Sequence, residues 1–237
     1  FIYYNIFIMW YNISYMNIHT FTQEQDWIQA STKVVANNLY EQIQSKGEAN
    51  LAVSGGTTPF VIYKELSKQS LDFSKINLIQ VDERHVPDTD PESNWQSIAK
   101  SFEGVNFRQI IRFAYSDQIQ DSLARAQSQL PQKLGITILG MGMDGHFASL
   151  FAGGAYWDNS NLDKAIITQA TANYPTRDRL SLSPEYIYNS DKIIILIKGK
   201  DKYIQLQKYL TNPVGAINWP LESLYKHFNI EIYSYLE

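Results

Sequence analysis

The sequence predicts an α/β protein built on a Rossmann-like, mainly parallel sheet with helices on both faces, in a single domain. Three observations predict it. Apolar runs without polar alternation recur at residues 50–53, 76–81, 135–139 and 192–197, the pattern of strands buried on both faces. Helical periodicity fills the intervals between them. Polar or glycine-rich clusters begin at Ser54, Asp82 and Gly140, each at the carboxyl end of a run, where such sheets bind ligands.

Composition supports one packed domain. The chain has 237 residues, of which 44% are hydrophobic and 19% charged, enough apolar material for a core and too little charge for disorder. No internal repeat or low-complexity linker divides it. A net charge of -4 gives no general attraction to nucleic acid or anionic membrane, so an anionic ligand needs a local basic pocket. The absence of cysteine excludes disulfides, a thiolate nucleophile and cysteine-ligated metal. Residues 1–15 are aromatic and isoleucine-rich, lack a basic n-region and carry Asn5 and Asn12, so they read as neither signal peptide nor membrane span. We expect them to be a non-native or upstream extension, with the domain over 16–237 starting at Met16 on polar, helix-starting sequence.

The first helix is expected from Thr22, capped with Gln25 three residues on, with Trp27, Ile28, Val34, Val35, Leu39 and Ile43 at helical spacing and Gly47 ending it. The run 50–53 enters Ser54-Gly55-Gly56-Thr57-Thr58-Pro59, after which 60–66 is helical with Pro59 in the first turn. The second run ends at Asp82-Glu83-Arg84-His85. Ser116 is expected to cap a helix whose Ile119, Leu123, Ala126 and Leu130 share a face before Pro131 stops it. The third run enters Gly140-Met141-Gly142-Met143-Asp144-Gly145-His146, followed by a short helix over 145–151. The fourth precedes a helix over 201–210, and 231–233 adds a late edge strand.

The loop from Ser54 to Pro59 can cradle a phosphate, because its glycines let backbone N–H groups approach an anion at a helix N-terminus; a plain strand-to-helix turn is the alternative. It lacks the Lys-Ser/Thr ending of a nucleotide P-loop. Residues 140–145 match G-x-G-x-x-G, but past mid-chain and beside Asp144 and His146, which a pyrophosphate turn does not need. Nicotinamide chemistry therefore ranks below phosphosugar chemistry. His146 can exchange a proton near neutral pH and activate water. Asp144 can orient it, contact a sugar hydroxyl or cap the short helix. Arg84 offers a planar donor fork to an oxyanion, with the neighbouring carboxylates holding it or a sugar hydroxyl. Arg177, Arg179, Lys198, Lys200 and Lys202 are the other candidate cations.

Three segments together resemble the lactonase branch of the glucosamine-6-phosphate isomerase/6-phosphogluconolactonase family: Ser54 to Pro59; Val81-Asp82-Glu83-Arg84-His85-Val86-Pro87 with Ser93-Asn94; and Leu139 through His146 to Phe151. The resemblance runs from about Met16 to the C-terminus. It implies a cofactor-free, metal-free hydrolase of 6-phospho-D-glucono-1,5-lactone in the oxidative pentose phosphate pathway, in the cytoplasm, as monomer or dimer. It further implies His146 as general base and Ser54, Gly55, Gly56, Thr57, Asp82, Asn94, Arg177 and Lys202 as substrate and phosphate contacts, with the oxyanion held by Arg84 or a loop N–H. Arg177 and Arg179 are alternatives for the phosphate arginine. Ala152-Gly153-Gly154 stands where the branch has a proline, which predicts a looser loop. The deaminase branch carries Asp-Glu-Tyr in place of Asp82-Glu83-Arg84 and His-Ile-Ala-Phe-Asn-Glu from the histidine, which this chain lacks. A non-catalytic phosphosugar sensor is the other rival, and no basic helix-turn-helix accompanies this domain.

Overall fold

In the computed structural model, which describes residues 16–157, 166–168 and 178–237, the apolar runs are strands of one sheet. The elements are β1 (Met16–Phe21), α1 (Glu24–Lys46), β2 (Ala49–Val53), α2 (Thr57–Leu66), β3 (Ile76–Gln80), β4 (Asp82–Arg84), α3 (Asn94–Ser101), β5 (Gln109–Ile111), α4 (Ile119–Gln127), β6 (Leu134–Gly140), β7 (Ile166–Thr168), β8 (Arg179–Leu182), α5 (Pro184–Tyr188), β9 (Ser190–Lys198), α6 (Lys200–Thr211) and β10 (Ile230–Tyr235). Seven strands form a parallel sheet in the order β1-β10-β9-β6-β2-β3-β5. The others form a three-stranded antiparallel sheet, β4-β8-β7.

The runs lack polar alternation because alternate residues serve two different cores. On β9, Ile193, Ile195 and Ile197 enter one core while Ile194 and Leu196 enter the other. Ala52 separates from Leu51 and Val53 in the same way. Trp27 and Leu39 of α1, Ile62 of α2 and Ile98 of α3 cover one face. Ala126 of α4, Ile187 of α5 and Leu206 of α6 cover the other. Each of the larger of these side chains contributes about 1.5–3 kcal/mol by leaving water, so both sheet faces must be covered. Among the described residues no helix is long and apolar enough to cross a membrane.

Several local expectations are corrected. Residues 16–21 form a strand rather than a helix start, and pair in parallel with β10. That pairing makes β10 interior and β1 the edge. Gln23 rather than Thr22 caps α1, with no side-chain cap bond, whereas Gly47 ends it as expected, in the left-handed region at φ 79° with its N–H on Ile43 O. Helix α4 starts beyond Ser116 with Gln118 as its N-cap and ends at Gln127, before Leu130. No helix forms over 145–151; the segment is turns closed by a Phe147–Leu150 bridge, and its buried residues are fixed by tertiary contacts rather than by a helical ladder. Residues 1–15 lie outside the described residues.

Helix α3 depends on a carboxylate from another element. Its N-cap, Ser93, makes no side-chain cap bond. Glu83 of β4, 3% exposed, instead accepts the helix's first N–H groups, from Asn94 at 2.7 Å and Trp95 at 2.8 Å, with Arg84 N at 2.7 Å, Gln80 Nε2 at 2.7 Å and Ser93 Oγ at 3.1 Å. Burial pushes the Glu83 carboxyl above its usual range against the pull of these donors. Glu83→Gln places an NH2 among donors and is expected to cost about 3 kcal/mol, read as a lower urea midpoint at unchanged slope; an unchanged midpoint would remove Glu83 from this role.

Candidate active site

From β2 the chain steps to β3 and β5 on one side, and from β6 to β9 and β10 on the other. β2 and β6 are therefore neighbours, Leu51 beside Ile136, whose following loops diverge at the sheet's carboxyl edge. A cavity of about 420 Å³ opens there, at the crevice such a reversal of strand order creates and within the size of small-ligand pockets.

The loop after β2 forms one wall. Gly56, at φ 98°, caps α2 in a conformation that disfavours any side chain. At Gly55 a Cβ would lie 2.2 Å from the Asn94 side chain, so glycine there lets α3 close on the loop. Ser54 is 5% exposed and lines the cavity, and its Oγ has no hydrogen-bond partner among the described residues. Ser31, Thr32, Ser122 and Ser234 also carry buried hydroxyls without a partner among the described residues, but of these hydroxyls only that of Ser54 belongs to the cavity lining.

The second wall is β4 and β8. Their register sets Arg84 opposite Arg179, and both line the cavity. Like charges directly across an antiparallel pair repel. Burial first, and Arg84's charge second, lower the Arg179 pKa. Arg84 donates Nη1 to Glu92 O, and its buried Nε has no partner among the described residues. The neighbouring carboxylates do other work: Glu83 holds backbone, and Asp82, 6% exposed, accepts Ser149 Oγ at 2.7 Å. Asn94 Nδ2 donates to Asp82 O at 3.1 Å.

The loop after β6 carries His146. Its Nδ1 lies 2.5 Å from Asp144 Oδ1, and its ring is 4.6 Å from that of Phe151. The ring folds back over Gly142, where a Cβ would come within 2.2 Å of it, and Gly142 N donates to His146 O. Asp144 is half exposed; burial raises its pKa, but the hydrogen bond and charge of His146 outweigh this and hold it below the usual value. Lys202, near the start of α6, completes the rim. Burial lowers its pKa, opposed by Asp144.

Ser54, Gly55, Gly56, Thr57, Asp82, Arg84, Asn94, His146 and Lys202 thus meet at one cavity. Asp144 is not in its lining and acts on it through His146. Arg177 lies outside the described residues. Lys198 is held by Glu24 at 2.7 Å, and Lys200 is exposed. The sequence reading missed Ser149, buried against Asp82, and Ala148, whose φ of 50° is strained for a residue with a Cβ. No local pattern announces either; within that segment the sequence offered Asp144 and His146 as the groups able to do chemistry.

A model of the family described as glucosamine-6-phosphate isomerases/6-phosphogluconolactonase matches residues 22–230. The chain belongs to that family. The 6-phosphogluconolactonase of Xylella fastidiosa (strain Temecula1) is 29% identical over 230 residues, 90% of this chain and 92% of that protein. The 6-phosphogluconolactonase of Mesorhizobium japonicum is 35% identical over 180 residues, 71% and 74% of the two chains. The crystal structure of a 6-phosphogluconolactonase from Shewanella baltica shares the fold, with TM-score 0.82 at 23% identity over 93% of this chain and 97% of that one. In this member of the glucosamine-6-phosphate isomerase/6-phosphogluconolactonase family, the residues facing the cavity come from all three segments that carried the resemblance.

The depressed Asp144 pKa predicts a pH-dependent term in stability. Because the folded value lies below the unfolded one, the contribution is present above the ordinary carboxylate range and is lost as pH falls through the folded pKa. Asp144→Asn is expected to cost about 0.5–1 kcal/mol near neutral pH, discounted for exposure, and less near pH 3. Urea unfolding of both proteins at the two pH values checks it; a constant difference would assign the loss to packing.

Proposed function

We propose that the chain hydrolyses 6-phospho-D-glucono-1,5-lactone to 6-phospho-D-gluconate, the lactone step of the oxidative pentose phosphate pathway, in the cytoplasm. The observation that carries this reading is that His146, its Nδ1 held by Asp144 behind it, lines the same cavity as Arg84, Arg179 and Lys202. A phosphorylated lactone needs both parts: cations for the phosphate, and a base with an oxyanion donor at the ester carbonyl.

Asp144 accepts the Nδ1 proton of His146, a tautomer assigned from the hydrogen bond, which leaves Nε2 as the basic nitrogen. Nε2 takes a proton from water as the water oxygen bonds to the lactone carbonyl carbon. Arg84 donates to the resulting oxyanion. The tetrahedral intermediate then breaks its bond to the ring oxygen, which takes the proton back from Nε2, and the new carboxylic acid ionises. Ser54, Gly55, Gly56, Thr57, Arg179 and Lys202 hold the phosphate, while Asp82 and Asn94 shape the sugar side of the cavity. Anchoring the remote phosphate restricts the ring to attack geometry. The deaminase motif has a glutamate five residues after its histidine; here that position is Phe151, whose ring has no proton to shuttle.

Coupled hydrolysis of freshly made lactone, corrected for the spontaneous reaction, tests the assignment. His146→Ala is expected to lower kcat by about 10²-fold or more, and Arg84→Ala to act mainly on kcat. Full turnover in His146→Ala would move the base elsewhere, and activity on glucosamine 6-phosphate alone would make the protein a deaminase. Gly142→Ala pushes a methyl into the imidazole, so the chain is expected to fold normally by circular dichroism while kcat drops by up to about 10²-fold. Unchanged turnover in that variant would show that the imidazole tolerates displacement.

A further inference from the structure

Phe151 connects His146 to a segment that no part of the mechanism uses. Its ring is tilted against the imidazole, centroids 4.6 Å apart, and it lines the cavity at 8% exposure. Without a proline after Phe151, the stretch Ala152-Gly153-Gly154 is expected to be loose. It is pinned instead. Tyr156 Oη accepts the Phe151 N–H and donates to the Phe151 carbonyl at 3.0 Å, and Trp157 Nε1 donates to the same carbonyl at 2.9 Å. Both backbone groups of Phe151 are thus satisfied by side chains five and six residues on. The Tyr156 ring occupies the space beside Gly154, where a Cβ would lie 2.2 Å from it. Gly153, at φ 72°, donates its N–H to Ile217 O at 2.7 Å.

We propose that Tyr156, with Trp157, is a positioning residue for the lactonase reaction: it clamps the Phe151 backbone so that the Phe151 ring holds one face of the His146 imidazole while Asp144 holds its edge. The inference rests on His146 as the base. A ring packed on the face of the imidazole restricts its swing about the Nδ1 hydrogen bond. The aromatic face also favours the imidazolium formed in the transition state. Burial, with Asp144's charge adding to it, pushes the Tyr156 phenol up to about 12, so its hydroxyl keeps the proton that lets it both donate and accept. Tyr156 itself is outside the cavity lining.

Tyr156→Phe keeps the ring and removes the clamp. It is expected to lower kcat about fivefold, the scale of one hydrogen bond, with KM for the lactone within about twofold and the thermal midpoint lower by a few degrees at most. Trp157→Phe, which removes the second donor to the same carbonyl, is expected to lower kcat in the same way and serves where Tyr156→Phe does not fold. An unchanged kcat, or a KM that rises as far as kcat falls, would overturn the inference, because a purely structural brace moves neither parameter or both. His146→Ala separates the two levels: full turnover there removes the base assignment and this inference with it, whereas lost turnover beside an unaffected Tyr156→Phe removes the inference alone.

Discussion

The adjacency of β2 and β6 is the constraint on which the site depends. Each strand is buried on both faces, so neither loop after it can fold back across the sheet, and the next strand of each lies on the opposite side. The two loops must part at the carboxyl edge. One brings Ser54 to Thr57 and a helix N-terminus; the other brings Gly142 to His146. β9 ends on the same edge and delivers Lys202. The cavity follows from strand order before any side chain is considered.

The small antiparallel sheet supplies what the large one lacks. The chain carries net negative charge, yet β4 and β8 set Arg84 and Arg179 opposite each other beside the cavity. Two guanidinium groups in register repel, and burial of Arg179 adds a desolvation cost. The arrangement persists because the rest of the fold over-determines it. Glu83, between Asp82 and Arg84, takes five donors and fastens β4 to α3. Asp82, Glu92 and Glu83 stand near enough to Arg179 to offset part of that cost.

Much of this was legible in the sequence, for a physical reason. Strands buried on both faces leave a signal of uninterrupted apolar residues, and the runs at 50–53, 76–81, 135–139 and 192–197 all became strands. The same signal fails at short or half-exposed strands. β5 has Gln109 and Ile110 exposed, and β1 is buried only at Met16, with Asn17, His19 and Thr20 exposed, so β1 read as helix-starting sequence. β4 and β8 are three and four residues long, and only their partner across the chain makes them strands. In the site, His146, Arg84 and the glycine loop were visible as residue types in sequence context. The role of Glu83 was not, because capping a helix from a different strand depends on tertiary placement.

The G-x-G-x-x-G match at 140–145 shows how one pattern serves two ends. In a dinucleotide site the glycines admit a ligand's pyrophosphate. Here Gly142 and Gly145 admit the protein's own side chains: the His146 ring lies where a Gly142 Cβ would be, and Trp219 lies 2.4 Å from where a Gly145 Cβ would be. Gly55 is likewise filled by Asn94. The glycines at 142 and 145 thus serve the internal packing of their loop. Gly56 is different. Its positive φ leaves the positions around a Cβ open, with nothing within 4 Å, at the N-terminus of α2. Among the glycines of these two loops that face the cavity, Gly56 combines an open approach with a helix N-terminus.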